Sequence, residues 1–454
     1  MKRLVIIGGG AAGMAAATRA RRLDPEARIT VIERFPEVSV GLCGLPYLIS
    51  GELAHESQLL AATPTYLVEE LGLELLTEHE AVLLEPRART VLCRSLPRGL
   101  EREVGYDGLI VAVGGRPRRD LPGARLAFSL NTLEDARRLL IRLSQRPTQA
   151  VIVGGGYLGL SMAEAFHRRG LPITLVEQKE SFFDLPRSLH AILAQRMQRA
   201  GISLRLGTGC RGIARDEVEL EGGHLPGDLF MLATGVEPNA ELLTAAGARP
   251  GESGAVRVDQ RAQTSLDRVW AAGDGVEVEH RVTGKASYLP LATTAARLGR
   301  LAAQNALGHH QRFGGSLGNV AVKVFGLEVA SVGLTLEAAT QLGYRAERVE
   351  LESPTRASYL GDQRAAFSLV FDAGGRILGA QGVGDEGVAG RIDLLATAIE
   401  AELDWSALER LDLVYTPPLA PLWDPVYLLG RQASRLSQEW LEGRGKSVKH
   451  GLYR

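Results

Sequence analysis

Arg3–Arg34 reads RLVIIGGGAAGMAAATRARRLDPEARITVIER. A short apolar, β-branched run meets a Gly cluster, continues as an Ala-rich stretch, and returns to a second apolar run closed by Glu33. This is the strand–turn–helix–strand order of a dinucleotide-binding unit. Gly8, Gly10 and Gly13 satisfy G-x-G-x-x-G. The first Gly makes the tight turn, the second lets the backbone approach a pyrophosphate, and the third lets helix and strand pack closely. The helix N-terminus offers free N–H groups and a positive dipole end to phosphates. The acid accepts hydrogen bonds from a ribose hydroxyl. The basic start before an apolar stretch imitates a signal peptide, but the Gly spacing and the return of charge at Arg19, Arg21 and Arg22 favour the strand–turn–helix reading.

The pattern recurs at Gln149–Gln178, QAVIVGGGYLGLSMAEAFHRRGLPITLVEQ, where Gly154, Gly156 and Gly159 repeat the spacing and Glu177 supplies the acid. Two ordinary Gly turns are the alternative, and the repetition in full context argues against it. Two such sites imply two dinucleotides, for which a flavin and a nicotinamide are the natural pair. Glu177 favours NADH, because a carboxylate repels a 2′-phosphate. Lys179, two residues on, keeps NADPH open as the alternative. Leu109–Gly115 (LIVAVGG) and Phe230–Asn239 (FMLATGVEPN) read as strands followed by Gly turns. Val269–Gly275 (VWAAGDG) puts Asp274 just beyond a strand, where a carboxylate can accept from a sugar-like chain. Alone, it would read as a turn residue or helix cap.

The rest of the chain bounds these sites. At roughly 150 residues per domain, 454 residues suggest about three domains. Lys+Arg of 52 against Asp+Glu of 53 argues against a dedicated nucleic-acid binder or a polybasic membrane protein. With 45% hydrophobic and 23% charged residues, the chain can build large cores. No apolar run reaches the ~18 residues of a membrane span. Cys43, Cys93 and Cys210 form no CxxC spacing, which disfavours a zinc site or a disulfide framework and fits the cytoplasm. Beyond about residue 318, alternating apolar residues over Val320–Val332 and Phe367–Val383 predict strands. Arg391–Glu402 and Trp405–Arg410 predict helices of the same α+β domain. Gly443–Arg454 is basic, lacks apolar periodicity, and reads as a loose tail.

Three further segments carry a resemblance: Ser39–Glu52 (SVGLCGLPYLISGE), Leu291–Asn305 (LATTAARLGRLAAQN) and Tyr415–Val426 (YTPPLAPLWDPV). With the two Gly motifs, they make the chain resemble the FAD-dependent pyridine nucleotide–disulfide oxidoreductases. The likeness is to their single-cysteine branch of coenzyme A disulfide reductases, NADH oxidases and NADH peroxidases. The resemblance implies an α/β fold of two Rossmann-like dinucleotide-binding domains plus a C-terminal α+β dimerisation domain. Expected boundaries are 1–115 and 241–318 for the FAD-binding domain, 116–240 for the NAD(P)H-binding domain, 319–442 for the dimerisation domain, and 443–454 for the tail. No rhodanese-like domain is expected to follow. FAD is expected on Gly8, Gly10, Gly13, Glu33 and Asp274, and the nicotinamide dinucleotide on Gly154, Gly156, Gly159 and Glu177. Tyr157 matches a tyrosine that covers the flavin and swings aside for nicotinamide; an aromatic filling a domain boundary is the alternative.

Cys43 is the expected redox-active residue. A thiol just before a predicted short helix should have a lowered pKa. Position 48 is Leu, so the resemblance implies no CxxxxC pair. A lone thiol can form a mixed disulfide with a small thiol, or a sulfenic acid. The turn Gly10-Ala11-Ala12-Gly13 lacks the His that the resemblance associates with peroxidases and many oxidases. The expected reaction therefore passes electrons from NADH through FAD to coenzyme A disulfide or a related disulfide or polysulfide at Cys43. An NADH oxidase acting on oxygen, and a ferredoxin reductase-like flavoprotein with a protein partner, are the alternatives. Arg19 and Arg22, at i, i+3 on one helix face, resemble positions near a coenzyme A site, or form a solvated basic face. Ser39 matches a serine near the thiol, or is a turn residue. Tyr359 resembles a tyrosine that reaches the partner subunit's active site in a homodimer as a general acid, or packs at the interface. Val40, Leu42, Ser161 and Leu419 depart from the residues common at those positions.

Overall fold

The structure is a computed structural model that describes residues 2–441, so the expected tail Gly443–Arg454 lies outside the described residues. The chain divides into two compact units. One comprises Met1–Asp120, Phe128–Arg146 and Thr234–Ser316; the other comprises Leu121–Ala127, Pro147–Ala233 and the chain from Leu317 onward.

The first unit is built on a parallel five-stranded sheet in the order Val269–Ala271, Gly108–Val111, Arg3–Ile7, Arg28–Ile32, Glu74–Leu76. Leu4–Ile7 and Ile29–Ile32 are buried without alternation, as expected when helices cover both faces of a parallel sheet. The helix Ala11–Leu23 follows the first strand and ends before Asp24-Pro25, with Arg21 and Arg22 at its negative end. A second helix, Ala292–Ala306, packs against it so closely that a Cβ on Gly299 would lie 2.1 Å from the Ala12 carbonyl oxygen. An antiparallel meander, His79–Glu85, Thr90–Ser95 and Glu101–Gly105, completes the unit. Charged residues interrupt its alternation, which leaves a weak sequence signal.

The second unit repeats the theme. Its parallel sheet runs Ser203–Arg205, Ile173–Val176, Ala150–Val153, Leu229–Leu232, with the helix Tyr157–Arg168 after the Gly turn. A five-stranded antiparallel sheet follows, in the order Val320–Val324, Leu327–Gly333, Ile377–Gly384, Arg364–Asp372, Ala346–Pro354. Helix Val388–Glu400 buries Ile392, Leu395 and Ile399. The predicted helices Arg391–Glu402 and Trp405–Arg410 are observed as Val388–Glu400 and Trp405–Leu408. The first begins earlier because Glu328 accepts from the backbone N–H groups of Val388 and Ala389, capping the turn with a residue remote in sequence.

Candidate active site

The two Gly turns are nearly superimposable in their local chemistry. Gly8 has φ +102° and Gly154 φ +107°, the left-handed region that favours glycine. A Cβ on Gly13 would lie 1.8 Å from the Gly8 oxygen, and one on Gly159 would lie 1.8 Å from the Gly154 oxygen. Protein atoms therefore dictate these glycines. Gly10 and Gly156 are different: a Cβ on either would meet nothing within 4 Å. Each is the N-cap of its helix, has extended backbone, and provides no side-chain cap, leaving the first-turn N–H groups for an anion.

The acids match as well. Glu33 is buried, and its Oε2 accepts from Gly9 N at 2.6 Å while Oε1 accepts from Phe35 N at 2.9 Å. Burial pushes its carboxyl up, and these backbone donors oppose the shift. Glu177 accepts from Gly155 N at 2.6 Å and Lys179 N at 2.9 Å. Each carboxylate oxygen keeps acceptor capacity for a ribose hydroxyl. The open cradles, the free N–H groups and the fixed acids fit two dinucleotides. Lys179 Nζ is paired with Asp184 at 2.8 Å, which neutralises the one cation next to Glu177 in sequence.

Cys43 lies in the first unit on a loop closed at its base. Gly41 N donates to the Leu59 oxygen at 2.7 Å, and Ala61 N donates to the Ser39 oxygen at 2.9 Å. Ser39 has φ +60°, and its N–H reaches the Gly9 oxygen at 2.8 Å, tying this loop to the first Gly turn. Arg137 brackets the loop from both sides through Glu37 at 2.5 Å and Glu56 at 2.8 Å. Cys43 sits in the single turn Leu42–Gly44, ahead of the short helix Leu45–Ser50. The residue is exposed at the surface, yet protein atoms crowd its thiol. That desolvation, followed by the Asp274 carboxylate, pushes the thiol up. The expected lowering by a helix N-terminus is thus corrected: the six-residue helix is outweighed by desolvation and a facing negative charge.

Asp274 follows the strand Val269–Ala271 through Gly273 and is half-buried. Burial alone pushes its carboxyl up, with no donor or cation offsetting it, so it is set to accept from a ligand. Arg19 is half-buried, with its Nε enclosed and unpartnered, while Arg22 is exposed. Between them, Arg21 is a structural residue bound to the Leu71, Pro25 and Gly72 oxygens. Cys93 is buried and donates to the Arg102 oxygen; half-buried Cys210 donates to the Gly212 oxygen.

In the second unit, the Tyr157 ring lies 4.8 Å from that of Phe183, and burial pushes its phenol up. Phe183 and Asp184 both adopt left-handed backbone, at φ +55° and +52°. The buried Gln381 side chain holds this turn by donating to the Phe183 oxygen at 3.1 Å. Phe183 was missed by sequence reasoning; its neighbours carry no motif, and its contact with Tyr157 is tertiary. Tyr359 is 75% exposed in the turn Ser358–Leu360, alongside other exposed apolar residues, Tyr415, Leu419 and Trp423. Asp424 pairs with buried Arg391 at 2.8 Å and accepts from Val426 N, giving the Asp-Pro segment a structural role. Among the described residues, no His/Cys/Asp/Glu group could hold a metal, and no helix is long and apolar enough to cross a membrane.

Comparison with known proteins bears on this geometry. Residues 2–299 match the pyridine nucleotide-disulphide oxidoreductase family, and residues 320–425 match its dimerisation domain. The chain belongs to this family. As such it is an oxidoreductase with an α/β fold and a dimerisation domain. It is 34% identical over 445 residues to a Pyrococcus furiosus protein named NAD(P)H sulfur oxidoreductase (CoA-dependent), covering 95% of this chain and 98% of that one. It is 31% identical over 447 residues to a Methanocaldococcus jannaschii protein named NADH oxidase, again covering 95% and 98%. The crystal structure of reduced Bacillus anthracis CoADR-RHD superposes with a TM-score of 0.94 at 31% identity, covering 97% of this chain and 81% of that one.

Proposed function

We propose that this family member is an NADH-dependent reductase of coenzyme A disulfide or a related low-molecular-weight disulfide or polysulfide. The observation that carries the reading is Cys43: a single accessible thiol on a closed loop tied to the first Gly turn, with Leu48 where a second cysteine would be needed. The first cradle, Gly8, Gly10, Gly13 and Glu33, holds FAD, with Asp274 accepting from its sugar-alcohol chain. The second, Gly154, Gly156, Gly159 and Glu177, holds NADH, and the Lys179–Asp184 pair leaves Glu177 to disfavour a 2′-phosphate. A bound flavin supplies the chemistry that side chains lack, accepting a hydride and yielding an electron pair to sulfur.

The chain's own residues do the rest. The Cys43 thiolate attacks one sulfur of the disulfide, that S–S bond breaks, and one thiolate leaves. The resulting mixed disulfide is cleaved by the electron pair that NADH brings, releasing the second thiolate and restoring Cys43. The balance is one disulfide, one NADH and one proton giving two thiols and NAD⁺. Half-buried Arg19 and exposed Arg22 offer cations to the phosphates of a coenzyme A-type substrate, and Ser39 fixes the loop beside the thiol. With FAD bound, Tyr157 would be the aromatic that yields to an incoming nicotinamide. The exposed Tyr359 serves the partner subunit of a homodimer as an acid for the leaving thiolate. The proposed bounds are 1–115 and 241–318 for the FAD-binding domain, 116–240 for the NAD(P)H domain and 319–442 for the dimerisation domain, with Phe128–Arg146 packing in the first unit. The enzyme works in the cytoplasm.

The test is NADH consumption with coenzyme A disulfide, polysulfide, hydrogen peroxide and oxygen side by side. Fast turnover with the disulfide or polysulfide supports the reading. Rapid oxygen consumption without either would favour the oxidase reading suggested by the name of the Methanocaldococcus relative.

A further inference from the structure

We infer that Tyr288 is an FAD-binding residue, its phenol hydroxyl donating a hydrogen bond to the bound dinucleotide beside Asp274; this rests on the proposal that the first cradle holds FAD. The hydroxyl of Tyr288 is buried and has no hydrogen-bond partner in the chain. Such a group is costly to leave unmade, and native proteins rarely do so without a ligand or water to complete it.

Its position says what that ligand is. A Cβ placed on Gly115 would lie 2.8 Å from the Glu237 backbone oxygen, 3.3 Å from the Tyr288 hydroxyl oxygen and 3.6 Å from the Asp274 Cβ, so both side chains come up to Gly115. Gly115 follows the strand Gly108–Val111, and Ala112 at that strand's end forms the wall of the first Gly turn: a Cβ on Gly8 would lie 2.2 Å from the Ala112 oxygen. Tyr288 lies between the strand Ala286–Ser287 and the helix Ala292–Ala306, and Gly273, next to Asp274, closes on the helix of that same turn, where a Cβ would lie 3.2 Å from the Ala12 Cβ. The unpartnered hydroxyl therefore belongs to the first cradle.

The electrostatics fit a donor. Burial first, then Asp274, hold the phenol well above its ordinary value; Glu237 adds to this and Arg118 opposes it. Tyr288 stays protonated wherever the enzyme works, while ionised Asp274 only accepts. Together they present one donor and one acceptor, matching a ligand rich in hydroxyl and carbonyl groups. Nothing in the Gly motifs or the resemblance singles out Tyr288.

Tyr288→Phe removes one oxygen that no protein group hydrogen-bonds, so the chain itself should lose nothing. The expected result is FAD release from the loaded protein about tenfold faster, equivalent to ~1.4 kcal/mol, with a shifted flavin absorption band. The flavin-stripped variant should melt at or above the parent. FAD release and absorption within twofold and within error of the parent, respectively, would overturn the assignment, and mean that the hydroxyl serves a water. Equal loss of melting temperature in loaded and stripped variants would also overturn it, showing a structural role. A parent chain that takes up no FAD overturns the FAD reading and this assignment with it.

Discussion

Gly10→Ala separates what the protein requires of its Gly motif from what a dinucleotide requires. At Gly10 the backbone is φ −79°, ψ −163°, a region open to alanine, and the added Cβ would meet nothing within 4 Å. The change replaces an N-cap Gly by Ala, so the stability cost should stay under ~1 kcal/mol. For a unit of this size that is about 2–4 °C in melting temperature. The pyrophosphate, however, needs that open backbone. A methyl there should weaken FAD binding at least about tenfold, or ~1.4 kcal/mol. Gly13→Ala is the control with opposite logic. Its Cβ would lie 1.8 Å from a backbone oxygen that no rotamer can move, so overpacking of ~1–3 kcal/mol or more is expected even without cofactor. Flavin fluorescence titration and melting of flavin-stripped protein read the two effects apart. Parent-like FAD affinity in Gly10→Ala, with its fold intact, would refute the assignment of the first cradle.

Asp274→Asn should move the pH midpoint of Cys43 alkylation downward. Asp274 helps hold the thiol up, only the thiolate reacts, and removing the negative charge shifts thiolate formation to lower pH; iodoacetamide rates against pH check this. Arg391→Met should destabilise the dimerisation domain by ~3–5 kcal/mol, because it strands Asp424 in a nearly buried pair, and Arg391→Met with Asp424→Asn should recover part of the loss in thermal melting. Phe183→Ala should speed nitration of Tyr157 several-fold, since the ring loses an aromatic partner worth ~0.5–1.5 kcal/mol; an unchanged rate would mean the contact does not hold the ring.

The repeated Gly motif made both parallel sheets legible, because turn, helix start and closing acid are local features and local features are written in sequence. Glu33 and Glu177 accept backbone N–H groups in the same arrangement, as their matched spacing implies. Properties set by distant residues were not legible. The state of the Cys43 thiol depends on crowding and on Asp274, which is remote in sequence. The Cys43 loop is bracketed by Arg137, a residue that sequence alone gave no reason to notice. Phe183 depends on a left-handed turn held by Gln381, and Tyr288 on the absence of any protein partner for its hydroxyl. The Asp-Pro segment was visible as a signature, but its pairing with Arg391 is a tertiary fact.

In the proposed mechanism, electrons leave the enzyme through a covalent species at Cys43. Steady-state NADH oxidation with coenzyme A disulfide, measured on the parent and on Cys43→Ser, examines this step. Turnover is expected in the parent and its loss in Cys43→Ser, while both proteins still reduce an artificial dye with NADH. Full NADH-dependent turnover by Cys43→Ser with every acceptor would contradict it and point to a flavoprotein that does not use this thiol.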